Sequence, residues 1–453
     1  MSIQEAVNSA NDYDTIFLTQ GVYSQSGIMI DKNITLQGLG QSSDIIIDGK
    51  TENSIILINS RSTVKFFNIT FINGHGPEYG GAIHSEEGGS VYVENCNFAN
   101  NSVGTNGGAI DIAGTHFTSK GKQYTYYGYL YANNCTFLNN FAGHDGGALA
   151  TYWGNSYVYN SVFKYNYATR DGGALRVGIY ATTTTENCTF DNNTAYEWGG
   201  ALYNWPGELT VNNCNITNNN AGTQGGALIT SGPLKVTNSR IINNTAKKGG
   251  VLYIAEETPH IPSTVIFNNN YISDNTANIA SLVYVDETTA TTSNFDNNYW
   301  DIDPDSPEWE SQFITNGLIE TPTKWIKQTE TAPDINPISP INNSKNINNT
   351  ENTNNNENTP ENNIQQNQIT ATSINDIINT ITATISNSTE KIEKTTIGVN
   401  QIQNEEVQSE NTAHELSKKN TAKQTAHSPL TYVAIIIILL IILGYGYTKF
   451  KKE

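Results

Sequence analysis

The chain has 453 residues, with 24 Lys and Arg against 43 Asp and Glu, for a net charge of −19. That sign is wrong for gripping a phosphate backbone or an anionic membrane, so no nucleic-acid partner is expected, and it suits a solvated exterior. Four cysteines, Cys96, Cys135, Cys188 and Cys214, are too few for a disulfide-framed scaffold and lack the CxxC spacing of a zinc site.

The chain opens with Ser2-Ile3-Gln4-Glu5-Ala6-Val7, where Ile3, Ala6, Val7 and Ala10 share one helical face and Ser2 with Glu5 can form a capping box. This predicts a short amphipathic helix closing an open end. Strand-like runs follow at Thr15–Leu18, Ile28–Ile30, Ile34–Leu36, Ile45–Ile47 and Ile55–Ile58, separated by Gly, Asn and Asp.

From Phe71 to Leu252 one short pattern recurs. An aromatic or Ile is followed by two Asn-type positions and then by Gly-Gly-Ala and an aliphatic, as in Phe190-Asp191-Asn192-Asn193 and Gly199-Gly200-Ala201-Leu202. The first glycine falls at residues 80, 107, 146, 172, 199, 225 and 249, in steps of 27, 39, 26, 27, 26 and 24. The aromatic or Ile position, from Phe71 to Ile272, keeps the same time. Its one long step marks an insertion, about His116 to Gly128, expected as a loop projecting from a corner. A period in the middle twenties built of short strands suits one turn of a β-solenoid, with about three strands per turn stacked in parallel.

Stacking assigns the positions. In Leu209-Thr210-Val211-Asn212-Asn213-Cys214-Asn215-Ile216, alternation turns Leu209, Val211, Cys214 and Ile216 inward around a corner at Asn212-Asn213. Phe, Ile and Cys columns then form the core, with the cysteines buried and unpaired. Two residues after the aromatic runs the column Asn73, Asn100, Asn139, Tyr165, Asn192, Asn218, Asn243 and Asp274. The next position reads Gly74, Asn101, Asn140, Asn166, Asn193, Asn219, Asn244 and Asn275. Asn tolerates the left-handed backbone of a tight corner, and stacked carboxamides can form ladders. The Gly-Gly pairs mark a bend where positive φ or close backbone approach forbids a side chain.

The pattern fades after Tyr253, and Trp300, Trp309 and Phe313 are placed to cover the last turn. Asp301, Asp303 and Asp305 alternate like calcium ligands, but Pro304 interrupts them and no closing Glu follows, so they read as a solvated acidic turn and no metal or cofactor is expected. Beyond this the composition turns to Asn, Thr, Glu and Gln and lacks the apolar density to fold. The layout is therefore residues 1–310 as solenoid with caps, 311–428 as a disordered linker or stalk, 429–448 as a transmembrane helix and 449–453 as a tail. The uncharged run Leu430–Tyr447 is long enough to span a bilayer at about 27 Å, and Lys449, Lys451 and Lys452 place the tail in the cytoplasm and the solenoid outside. Met1 stands directly before the cap helix, so either a signal peptide lies upstream or the protein is tail-anchored with the solenoid inside. Asn-x-Ser/Thr sequons at Asn33, Asn68, Asn100, Asn134, Asn187, Asn192, Asn215 and Asn243 favour the outside.

The alternation of Gly-Gly-Ala with Phe98-Ala99-Asn100-Asn101, Phe137-Leu138-Asn139-Asn140 and Phe190-Asp191-Asn192-Asn193 resembles the repeat of chlamydial polymorphic outer-membrane proteins. It resembles still more the Asn/Thr-rich adhesin-like surface proteins of methanogenic archaea. The opening, from Ile3-Gln4-Glu5-Ala6-Val7 through Asp14–Leu18 and Gly21-Val22-Tyr23 to Ile45–Gly49, is similar to the first turns of pectate-lyase-like right-handed parallel β-helices. These resemblances cover about residues 2–300. They imply an all-β, single-stranded right-handed parallel β-helix, displayed on a cell surface for adhesion.

Three functions stay open: an adhesin-like surface protein that meets cell-surface glycans or envelope polymers of other cells, a carbohydrate-active enzyme on the same fold, and a non-binding structural envelope protein. For catalysis, Gly74-His75-Gly76 lacks the Asp-Asp pair and Arg-x-Lys of polygalacturonase-type sites. Asp145 and Asp171 occupy the same slot before Gly-Gly in neighbouring turns, beside His144 and Arg170, and stacked carboxylates with a cation could serve a glycosidase or lyase. Asn106, Trp198, Gln224 and Lys248 fill that slot elsewhere, which reads as a variable exposed corner, so no catalytic residue is assigned. For binding, Tyr152, Trp153, Tyr180, Trp198, Tyr203 and Trp205 flank the Gly-Gly bends of three consecutive turns, and flat aromatics beside Asp145, Asp171 and Arg170 suit sugar rings.

Overall fold

A computed structural model describes residues 2–255, 263–286, 291–316 and 319–326. The linker beyond residue 326, the membrane-spanning segment and the tail read from the sequence lie outside them. Among the described residues no helix is long and apolar enough to cross a membrane.

The first helix is Ile3–Ser9, and both halves of its capping box are made: Glu5 N–H donates to the Ser2 hydroxyl and Ser2 N–H to the Glu5 carboxylate. Ile3 and Val7 point into the core. The chain then winds as a right-handed parallel β-solenoid of about 11 turns. Eight of the turns carry four strands, one more than expected, and the first two carry three. In one four-stranded turn these are Thr182–Glu186, Thr189–Asp191, Thr194–Ala195 and Leu202–Asn204. Their equivalents in other turns build four parallel sheets, in that order of 11, 12, 8 and 11 strands. In six of these eight turns the third strand has only two residues, too short to leave a period-two signature in sequence.

Register is residue on residue. Phe71 pairs with Phe98, Phe98 with Phe137, Phe137 with Phe163 and Phe163 with Phe190. These rings stack at 5.1, 4.9, 4.4 and 4.9 Å between centroids, all fully buried. The cysteines are buried and free, and burial pushes the Cys96 thiol up to about 12. Their slot is a second line of hydrogen bonds: Cys135 N–H donates to Ser161 Oγ at 3.1 Å, Cys188 N–H to Cys214 Sγ at 3.4 Å and Cys214 N–H to Ser239 Oγ at 3.1 Å.

The two Asn positions after the aromatic divide the work. The first, from Asn73 to Asp274, is left-handed in every turn, with φ between 53 and 58°, including Tyr165. The second is the buried ladder. Asn166 Nδ2 donates to Asn193 Oδ1 at 2.9 Å and to the Phe137 carbonyl at 3.0 Å, while its N–H also reaches Asn193 Oδ1 at 3.0 Å. The same three bonds recur at Asn140, Asn193, Asn219 and Asn244. The glycine pair divides similarly: Gly199 has φ 64°, whereas a Cβ on Gly200 would sit 2.2 Å from the Gly226 carbonyl oxygen of the next turn.

The far end closes as expected, with Trp300 in edge-on contact with Trp309 and Phe313 at 5.5 and 5.7 Å. The sheets nevertheless continue past residue 310, through Phe313–Ile314 on Val283 and Trp325–Ile326 on Asn298. The acidic turn is only partly solvated. Asp303 and Asp305 are exposed, but Asp301 is tied to the turn above, its carboxylate accepting from Asp274 N–H at 2.6 Å.

Candidate functional site

The residues that the repeat leaves free gather at the two ends of the fourth strand of each turn. The insertion lies here, as an antiparallel hairpin of Thr115–Ser119 and Lys122–Tyr126 rather than an irregular loop. Its two-residue turn is Lys120-Gly121, both left-handed at φ 50 and 74°, the twist that suits a tight hairpin.

At Asp145 and Asp171 the slot before Gly-Gly is not an exposed corner, although Tyr79 in the same slot is exposed. Asp145 and Asp171 are fully buried, and Asp111, on the side of the fourth sheet away from the core, is 1 % exposed. The reason is that the corner residues fold back over that sheet, which the sequence pattern could not show. Carboxylates so buried need partners, and they have them. Arg170 Nε lies 3.1 Å from Asp145 and 3.0 Å from Asp171, its Nη2 is 2.9 Å from Asp145, and Arg176 pairs with Asp145 from the other side. His84 Nδ1 stands 3.2 Å from Asp111. Burial pushes Asp171 up to about 6 against the pull of Arg170, and burial likewise lowers Arg176 to about 10. Burial also opposes the His84 imidazolium, but the neighbouring Asp111 and Glu86 outweigh it and raise its pKa. The Asp111 Oδ1, Tyr152 Oη and Arg176 Nε atoms are buried without a hydrogen-bond partner. Nothing in the sequence pattern flagged Asp111, His84 or Arg176; His84 meets Asp111, and Arg176 meets Asp145, only because adjacent turns lie in register.

The six predicted aromatics do not form one patch. Arg176 is held over the ring of Tyr152 at 4.5 Å and that of Tyr203 at 5.3 Å, so those faces are occupied. Tyr203 is 3 % exposed and belongs to a satellite cluster with Ile229 and Tyr253, against which Trp198 and Trp205 pack. Its part is packing rather than ligand contact. Trp198 and Trp205 keep open surface, their rings 6.0 Å apart. On the other side of the corner His116 of the hairpin stacks on Trp153 at 5.0 Å, and Trp153 lies 4.3 Å from the half-exposed Tyr180.

The sequence reading also missed a tyrosine platform on the outer surface of the first sheet. Tyr129 stands 5.4 Å from Tyr92 and 5.6 Å from Tyr157, and Tyr131 is 5.7 Å from Tyr159. Lys65 over Tyr92 and Arg61 over Tyr126 close one end. The available signal was Tyr at alternate positions in consecutive turns, Tyr129-Tyr131 and Tyr157-Tyr159. The platform continues into a cleft of about 330 Å³ walled by Tyr127 and Tyr180.

Residues 134–152 and 187–204 are similar to the Chlamydia polymorphic membrane protein repeat. Each matched stretch runs from a left-handed corner Asn through the Cys, Phe and Asn-Asn columns to the strand after Gly-Gly, so the likeness is to the architecture of the turn. No curated protein matches the chain in sequence. Among solved structures it is similar to a pectin methylesterase from Yersinia enterocolitica, with 12 % identity over 72 % of this chain and 94 % of that one, at a TM-score of 0.29. A likeness so distant bears on neither the site nor the activity.

Proposed function

We propose that this chain is an adhesin-like protein displayed at a cell surface, held by the apolar segment at 429–448, and that its outer aromatic corner binds glycans or envelope polymers of other cells. One observation carries the reading. The repeat positions are used up by core, ladder and bend, whereas the residues that break the repeat collect at the two ends of the fourth strand, where Trp153 with Tyr180 and Trp198 with Trp205 keep open surface and Asp145, Asp171 and Arg170 form a fixed polar network. Flat rings next to fixed polar groups are the ordinary means of holding a sugar. Replacing Trp153 and Trp205 with Ala is expected to abolish binding to a glycan array or to whole cells while the β-sheet circular dichroism stays unchanged. Undiminished binding would remove this corner from consideration.

A carbohydrate-active enzyme is the second reading, favoured by one feature: a carboxyl at Asp171 that titrates near 6 beside a second, ionically paired carboxylate. The buried network faces tyrosine rings rather than an open groove, and both carboxylates are engaged by Arg170, which supports holding over turnover. Incubating the purified protein with neutral and acidic polysaccharides and following reducing ends or unsaturated products decides between them. Depolymerisation lost in Asp171→Asn would establish the enzyme.

A further inference from the structure

The cleft beside the tyrosine platform is more specific than an aromatic surface. Asn155, Thr182 and Glu208 line it, and these three stand in register on successive turns of the first sheet. They present an amide, a hydroxyl and a carboxylate in a row about 10 Å long, two strand spacings. Tyr127 and Tyr180, 52 and 51 % exposed, line it too, together with Pro206.

Two features show that the cleft is built rather than incidental. Tyr180 and the Trp153 behind it both hold left-handed backbone, at φ 55 and 49°, where Asn or Gly would be cheaper. Strain of this kind is kept where the side chain is needed. In addition, the insertion ends directly before Tyr127, and its His116 backs Trp153. The insertion thus adjoins Tyr127 and, through Trp153, Tyr180.

The lining also selects. Glu208 is its one charged residue and no Lys, Arg or His borders it, in a protein of net charge −19. A uronate, sulfate or phosphate would meet a carboxylate with no counter-charge, whereas a sugar hydroxyl or amine can donate to Glu208 and exchange hydrogen bonds with Asn155 and Thr182. We infer that this cleft is a saccharide site for a pyranose unit without acidic substituents, its ring against Tyr180 or Tyr127 and its polar edge on Asn155, Thr182 and Glu208. The inference rests on the glycan-binding reading above and narrows it to one cleft and one sugar class.

The test is an array of neutral, amino and uronic-acid oligosaccharides probed with the full chain, followed by titration calorimetry on the best ligand. Wild type is expected to retain neutral or amino sugars and pass over uronates. Tyr180→Asn places the residue that left-handed backbone prefers, so it is expected to keep or raise the melting temperature while weakening binding about tenfold or more. Glu208→Gln is expected to reduce the preference for amino over neutral sugars. Neutral-sugar binding unchanged in Tyr180→Asn overturns the inference but leaves the adhesin reading standing. So does cell adhesion by wild type without binding to any arrayed sugar. A preference for uronates overturns the assigned class. Failure of wild type to bind either sugars or cells sinks both.

Discussion

The corner that carries the Asn ladder and the corner that carries the hairpin are built from the same turns, yet they obey different rules. At the first, the buried side chains meet their own copies: Asn166 is bonded to Asn140 and Asn193, and Phe137 is stacked on Phe98 and Phe163. A residue that pairs with itself in this way cannot change in one turn without stranding a partner in the next. At the second, neighbours differ from turn to turn, Asp145 next to Asp171 next to Trp198, and contacts run between unlike groups such as Arg176, Asp145 and Tyr203. There a change alters the surface without breaking the coil. The comparison teaches that the repeat is a scaffold with one corner released from its constraint.

The largest effects are expected on the ladder side. Phe137→Ala should cost about 3–5 kcal/mol from lost burial and the cavity left behind. Asn166→Ala, which leaves Asn140 without its acceptor and the Phe137 carbonyl without its donor, should cost on the order of 4 kcal/mol. Urea denaturation of both variants measures this, and a loss below 1 kcal/mol in either would show that the ladder is ornament rather than support.

A smaller and pH-dependent effect is expected at the hairpin corner. Asp171 titrates near 6 in the folded chain, above the ordinary 3.8. The folded state therefore holds this proton more firmly than the unfolded state does, and the contribution of Asp171 to stability falls as pH rises through the window between those values. Asp171→Asn, which has no proton to lose, should gain on wild type by on the order of 2 kcal/mol between pH 4 and pH 7. Denaturation curves at both pH values check the sign, and a constant difference would refute the raised pKa.

The smallest effect is expected in the cysteine column. Ser161 and Ser239 already fill that slot in other turns, accepting the same backbone hydrogen bond. Cys188→Ser should therefore change stability by less than about 1.5 kcal/mol. With Cys96 at about 12 and all four thiols buried, iodoacetamide at pH 8 should label none until the chain unfolds. Rapid labelling of the native protein would contradict the inward placement.

What could be read beforehand follows the same division. The cap helix was legible because a capping box is local, and the Phe, Cys and Gly-Gly columns because repetition writes them many times. The short third strand was not, since two residues such as Thr194-Ala195 carry no alternation. Nor could a repeated Asn-Asn pair say which member bends the chain and which bonds along it. That depends on φ at Asn192 and on the depth of Asn193.

The sequence by itself thus determined the coil: its period, its core columns, its bends and the place where an insertion leaves it. These are properties of each turn taken alone or of a turn and its identical neighbour. The tertiary structure decided the corner. Register places Asn155, Thr182 and Glu208 in one row, sets Arg176 between two tyrosines, and buries Asp145 and Asp171 beneath the bend that carries them. Residues drawn from different turns and unlike in kind share no pattern, so only the stacking of one turn on the next brings them together.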